Sequence, residues 1–220
     1  RDIYTIAPVV GKQLDFDYLK KTELIHELDE GAARTAAFIG EFGAYSHKAA
    51  LGYFGDEITP VPMKRFTDIF AAVAAGRAEY GVIPLENSLS GSIHENYDLL
   101  QEYDLKIIGE ITIRIQHALI AHKGTAKEEI TQVLAPPPAL AQCRNYLDQY
   151  PWMARVPAAA TSQAVKQVKD AGDNTCAAIV STMAAQVFDM AVLDESIEDN
   201  PRNLTRFAVI EKALKGKKKV

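Results

Sequence analysis

An α/β fold of two lobes is what this sequence predicts, and three observations carry the prediction. From residue 35 onward, short apolar runs alternate with stretches whose apolar residues recur at helical spacing, the pattern of largely parallel sheets flanked by helices. A β-rich stretch from Lys106 to Ala121 is longer than a usual strand and suits a segment crossing from one lobe to another. A late apolar run, Thr205 to Ile210, suits a return to the first lobe. At 220 residues the chain is long for one core and short for two independent domains, so one domain with a cleft between its lobes fits best.

Arg1 to Arg34 is polar, with a weakly helical stretch at Phe16 to Leu28, and reads as a linker or extension. Thr35 to Gly40 is a strand, followed by a helix over Ser46 to Leu51. Glu57 to Pro62 is a strand, Phe66 to Ala75 a helix and Tyr80 to Pro84 a buried strand; a helix over Glu95 to Glu102 precedes the crossing stretch. The second set comprises a strand at Ile130 to Leu134, a helix around Leu140 to Tyr150 and a short strand at Ala154 to Val156. A helix at Ser162 to Asp170, a buried strand at Cys176 to Val180 and a helix from Thr182 to Phe188 complete it. Lobe 1 is thus placed at about 35–112 with 204–212, lobe 2 at about 113–203, and a basic tail at 213–220.

Composition narrows the functions. Hydrophobic residues at 48% and charged residues at 24% are those of an ordinary globular chain with a core to bury. A net charge of -5 argues against nonspecific nucleic-acid binding, and the one basic run, Lys212 to Lys219, reads as a solvated tail. No segment approaches the roughly 18 apolar residues of a membrane span, and no partner membrane is expected. Cys143 and Cys176 lack a Cys-x-x-Cys spacing and read as thiols in a reducing cytosol. The five histidines form no metal-ligand motif, and no serine lies in a nucleophile elbow, so neither a metal nor a serine nucleophile is expected.

Three segments could carry chemistry. Gly40 to Ser46 lies between a strand and a helix, where glycines permit a tight turn, Ser46 could cap the helix, and free N–H groups could hold an anion. Glu86 to Ser92 follows a buried strand, at the position where α/β folds bind ligands, and offers Glu86, Asn87, Ser88 and Ser92. Asn203 to Phe207 opens the last apolar run; alternation sends Thr205 and Phe207 to one face and Arg206 to the other, and spacing alone leaves Thr205 a structural residue.

In order and spacing, these segments resemble the prephenate dehydratase family over about Ala36 to Ile210. Phe38 to Gly40 with Gly43-Ala44-Tyr45-Ser46 is similar to its glycine segment, and Ile83 to Ser88 with Gly91 to its Pro-(Ile/Leu)-Glu-Asn loop. Ala139 to Cys143 resembles its segment ending in Gln-Cys, Thr161 lies in a stretch like its Ser-Thr segment, and Asn203 to Phe207 matches its Asn-x-Thr-Arg-Phe signature. Two stretches depart: Gly40-Glu41 stands where the family has Gly-Pro, and Ala135 to Pro138 where it has Ser-His-Pro-Gln.

The resemblance implies a two-lobe fold similar to the type II periplasmic binding proteins and a decarboxylating dehydration of prephenate without cofactor or metal. It implies Thr205 as the catalytic donor, with Arg206 or the backbone N–H groups of Ala44, Tyr45 and Ser46 holding a carboxylate. Asn87, Ser88, Gln142, Thr161 and Phe207 complete the substrate-binding set. A cytoplasmic homodimer or larger assembly is expected, and the thirteen residues after Phe207 leave no room for the regulatory ACT domain that often follows. Two alternatives stay open: arogenate dehydratase, and a non-catalytic small-anion-binding protein of the same fold.

Overall fold

Thr35–Ile39 forms β1, a strand buried along nearly its whole length because helices cover both faces of its sheet. The computed structural model describes residues 34–172 and 174–213. The expected N-terminal extension, including the helix at Phe16 to Leu28, lies outside these residues apart from Arg34, as does the basic tail apart from residue 213.

The first sheet contains β1, β2 (Thr59–Met63), β3 (Tyr80–Asn87), β11 (Leu204–Lys212) and β5 (Leu105–Arg114) in the order β2-β1-β3-β11-β5, with the two-residue β4 (Gly91–Ser92) on the end of β3. Helix α1 (Tyr45–Phe54) packs on one face, where Ala49 and Ala50 meet Phe38, Val82, Ile111, Phe207 and Val209. Helices α2 (Phe66–Ala74) and α3 (His94–Glu102) cover the other, where Ile69, Phe70 and Leu99 meet Ala37, Ile83, Ala208 and Ile210. Even and odd residues of β11 thus divide between two cores, as strand alternation requires. Gly81 has no room for a side chain: a Cβ would lie 2.8 Å from Ile69 and 2.9 Å from Ile210.

The second sheet has the order β10-β6-β9-β7-β8, built from β6 (Ala118–Ala121), β7 (Gln132–Ala135), β8 (Ala154–Pro157), β9 (Cys176–Val180) and β10 (Ala191–Glu195). Helices α6 (Thr161–Ala171) and α7 (Thr182–Val187) lie over one face, and α4 (Pro137–Gln142) and α5 (Arg144–Leu147) over the other. The chain passes from the first sheet to the second between Arg114 and Ala118 and returns between Glu195 and Leu204, which gives the two-lobe α/β architecture.

Several expectations need correction. The sheets are mixed, not largely parallel: β2, β1 and β3 are parallel and so are β8, β7 and β9, but β11 runs against β3 and β5, and β6 against β9 and β10. The reason is topological. A strand entering a lobe from the other lobe starts at the cleft, whereas strands in β-α-β units end there. The crossing stretch is two strands separated by Ile115, Gln116 and His117, and the helix around 140–150 divides at Cys143, whose φ of -115° and ψ of 27° leave the helical region. Strands β4 and β10 were not expected. The altered segment Ala135 to Pro138 ends β7 and starts α4, with Pro137 and Pro138 in the first turn, where a missing N–H costs no intrahelical bond.

Candidate functional site

The site begins where the end of β3 meets the start of β11, with Thr205 paired to Asn87 on one side and to Ile113 on the other. Asn87 Oδ1 accepts hydrogen bonds from the backbone N–H groups of Leu89 and Ser90, both at 3.0 Å, and from the Ser90 hydroxyl at 3.1 Å. Backbone N–H groups only donate, so the orientation of this amide is fixed and its Nδ2 must donate. It does so to Asn203 Oδ1 at 2.7 Å and Thr205 Oγ1 at 2.9 Å, with the Leu204 carbonyl farther at 3.2 Å. Thr205 is buried, and its hydroxyl therefore accepts from Asn87 and keeps its own hydrogen to give.

The ordering continues across to lobe 2. Asn203, with its oxygen turned to Asn87, donates from Nδ2 to Gln142 Oε1 at 3.2 Å. His117 Nε2 lies 2.8 Å from the same oxygen, and His117 Nδ1 lies 3.1 Å from the Tyr45 hydroxyl, whose single hydrogen also faces the Gln116 carbonyl at 2.6 Å. One connected set of side chains thus runs from β3 through both crossing segments to the end of α4 and the start of α1. Burial holds the His117 imidazole below its ordinary pKa, against the opposing Gln142 hydrogen bond and Glu198 charge, so the ring is neutral at pH 7. Burial likewise raises the Tyr45 phenol, with Glu198 and Cys143 adding to it, and keeps it a donor.

Glu198 joins the two crossing segments. Its buried carboxylate accepts from the His117 backbone N–H at 2.9 Å and from Arg114 at 3.1 Å. On the same return segment, Asp199 N–H donates to the Gln142 carbonyl at 2.7 Å and holds the end of α4 in place. Cys143, next to Gln142, is fully buried; its thiol is pushed up to about 12 by burial, then by Asp199 and Glu198, and so stays protonated.

The glycine segment closes the other side. Gly43 has φ of +87°, and a Cβ there would stand 2.6 Å from the Ala184 Cα of α7, so the two lobes meet backbone to backbone at this point. The Ser181 hydroxyl donates to the Gly43 carbonyl at 2.6 Å and accepts from Ala184 N–H at 3.1 Å, capping α7 while reaching lobe 1. Ser46 is not the cap of α1, contrary to expectation. Ala44 holds that position without a side-chain bond, Ser46 lies buried in the first turn, and the helix start carries no acidic residue. The leading amides of α1 therefore face the cleft end of β1 uncapped. Beneath them His47 accepts from Gly43 N–H at 3.1 Å, stacks on Phe38, and is lowered by burial to about 4.

Not all the expected residues converge. Asn87, Gln142, Thr205 and Tyr45 do. Arg206 lies on the opposite face of β11, paired with Glu110 at 2.9 Å and Glu86 at 3.2 Å, beside Tyr97. Phe207 is on the Thr205 face but 2% exposed, inside the core under α1. The Ser88 hydroxyl is engaged by the return segment, donating to the Arg202 carbonyl at 2.9 Å and accepting from Leu204 N–H at 3.0 Å. Thr161 opens α6 in lobe 2, outside the connected set. Sequence reasoning missed His117, Glu198 and the side chain of Asn203 as members. The signal available was a histidine inside the apolar run Ile115 to Ala121, where a buried ring needs partners. No group of three or more His, Cys, Asp or Glu that could hold a metal occurs among the described residues.

Comparison with known proteins gives the family. The family model described as prephenate dehydratase matches residues 36–215. The bifunctional chorismate mutase/prephenate dehydratase of Pseudomonas aeruginosa is 39% identical over 175 residues, which is 79% of this chain and 47% of that protein. An arogenate dehydratase/prephenate dehydratase of Arabidopsis thaliana is 34% identical over 210 residues, 96% of this chain and 53% of that protein. The chain spans about half the length of these curated relatives. Among solved structures, GqqA, described as a quorum-quenching acylase, superposes with a TM-score of 0.75 at 31% identity, covering 82% of this chain and 65% of that one.

Proposed function

The chain belongs to the prephenate dehydratase family, and on that premise we propose that it converts prephenate to phenylpyruvate, carbon dioxide and water. The observation that carries this reading is the Thr205 hydroxyl, which accepts from Asn87 and so has its hydrogen left to donate. The reaction breaks the bond to the ring carboxylate, whose electron pair enters the ring as carbon dioxide leaves. The ring hydroxyl departs from the opposite carbon, and with one proton taken up it leaves as water. Aromatisation drives the step, and the protein has to stabilise the departing oxygen and hold the rest still.

Thr205 donates to that oxygen, and this bond strengthens as negative charge builds there. Gln142, from lobe 2, orients the substrate together with Asn87, Ser88 and Thr161. The uncapped amides of Tyr45 and Ser46 at the positive end of α1 receive the side-chain carboxylate. Arg206, paired with two carboxylates on the far face, supports the strand order instead of the substrate. A cytoplasmic site of action is part of the same reading, consistent with two free thiols.

Thr205 is not placed to act as an acyl-transfer nucleophile. A hydroxyl nucleophile needs a base that accepts its proton, and the group at Thr205 Oγ is an amide that donates. Incubation with prephenate, followed by the absorbance of phenylpyruvate in alkali, tests the proposal. Product formation with first-order dependence on enzyme is expected, and binding of prephenate without product overturns the enzymatic reading. Arogenate assayed in parallel decides between the keto and the amino substrate.

A further inference from the structure

We propose that His117 is a positioning residue: its Nε2–H donates to Gln142 Oε1 and thereby turns the Gln142 NH2 group toward the cleft. The inference rests on the dehydratase reading for its kinetic consequence, but its structural part stands alone. Each amide in the chain has its orientation forced by the one before it. The N–H groups of Leu89 and Ser90 set Asn87, Asn87 sets Asn203, and Asn203 donates to Gln142 Oε1. An oxygen that already accepts from Asn203 can meet His117 Nε2 at 2.8 Å only if that nitrogen carries the hydrogen. The tautomer is fixed, and Nδ1 is left bare at 3.1 Å from the Tyr45 hydroxyl, whose one hydrogen is shared between it and the Gln116 carbonyl at 2.6 Å.

Two donors hold Gln142 Oε1, and the one from His117 is the shorter. The other end of the amide, Nε2, has no partner among the described residues, yet it is not among the buried polar atoms left without one. It reaches solvent. Thr205 and Gln142 thus present one free donor group each, a hydroxyl and an NH2, from opposite lobes, both aligned by the same directed chain. His117 contributes without touching substrate. Its ring is packed edge-on against Tyr45, with centroids 5.9 Å apart, and Glu198 holds its backbone, so it is a fixed post and not a mobile group.

The test exploits the shape of amide side chains. In His117→Gln the side-chain nitrogen takes the place of Nε2 and keeps the donor, whereas in His117→Asn it falls at Nδ1 and the donor is lost. The proposal expects H117Q to retain kcat/KM for prephenate within about threefold and H117N to lose roughly tenfold, the scale of one hydrogen bond. H117N should add little to the loss in a Gln142→Ala background, because the bond it removes is already gone. Equal losses in H117N and H117Q, or full additivity with Q142A, overturn the proposal. Nitrogen-15 NMR of the wild-type imidazole supplies a readout that needs neither turnover nor a variant that folds. A protonated Nε2 with a bare Nδ1 is expected, and the opposite tautomer overturns the proposal. Absence of turnover in the wild type would instead count against the dehydratase reading.

Discussion

A threonine hydroxyl has one hydrogen and two lone pairs, and at Thr205 the Asn87 amide occupies a lone pair while leaving the hydrogen unclaimed. The role assigned to Thr205 depends on that hydrogen, and it leads to a prediction about two substitutions. Thr205→Ser keeps the hydroxyl and should keep most of the turnover. Thr205→Ala should lower kcat by roughly 100-fold or more, the scale of removing one donor aimed at developing negative charge, with KM changed far less. Steady-state kinetics on prephenate check this, and equal changes in kcat and KM for T205A would make Thr205 a structural residue. Its neighbour Arg206 should behave differently. Its two carboxylate partners are half-exposed, and exposed pairs contribute about 1 kcal/mol or less. Arg206→Met is therefore expected to change KM less than about fivefold, whereas a larger rise would restore Arg206 as a carboxylate anchor.

At the scale of elements, the contact between the α1 loop and α7 joins the lobes through very few atoms. Ser181→Ala removes both a helix cap and the bond to the Gly43 carbonyl, and should cost about 1 to 2 kcal/mol, read as a lowered midpoint in urea unfolding. Gly43→Ala meets both a left-handed φ and the Ala184 backbone at 2.6 Å, so it should separate α7 from the α1 loop and raise KM as well as lower stability. Most elements could be read from the sequence because their apolar residues recur regularly, as in β1, α2 and β9. Strand β10 could not: Asp194 and Glu195 interrupt its apolar pattern, and Asp194 finds its partners in Lys127 and Tyr146 from elsewhere in the lobe. The expectation of largely parallel sheets failed at β6 and β11 because parallel or antiparallel pairing is decided by where a strand enters a lobe, which residue patterns do not encode. The site was legible in Asn87, Gln142 and Thr205 through the order of their motifs. His117 and Glu198 were not, since both sit on crossing segments without periodicity and acquire their partners only when the chain doubles back.

The whole molecule unfolds against a buried histidine that cannot easily be charged. His47 is held at about 4 by burial, below the ordinary value of about 6.5 for an exposed imidazole. The unfolded chain therefore takes up this proton first as pH falls, so the stability due to the neutral ring is present above about pH 6.5 and is lost progressively toward pH 4. The loss from this one group is roughly 3 kcal/mol. His47→Asn keeps an acceptor for Gly43 N–H without a titrating ring. Urea unfolding at pH 7 and pH 4.5 should show a smaller acid loss in the variant than in the wild type, and identical losses would remove His47 as the cause. The division of labour between the lobes has a further consequence. Thr205 and Asn87 come from the first lobe and Gln142 from the second, and the chain enters and leaves the second lobe once each, between Arg114 and Ala118 and between Glu195 and Leu204. In the proposed roles, the donor to the leaving oxygen and the amides for the side-chain carboxylate therefore lie on one block of sequence and Gln142 on another. A transplant of the second block from a relative would exchange Gln142 and its surroundings while leaving Thr205 and the α1 amides unaltered, provided that both seams preserve His117 and Glu198.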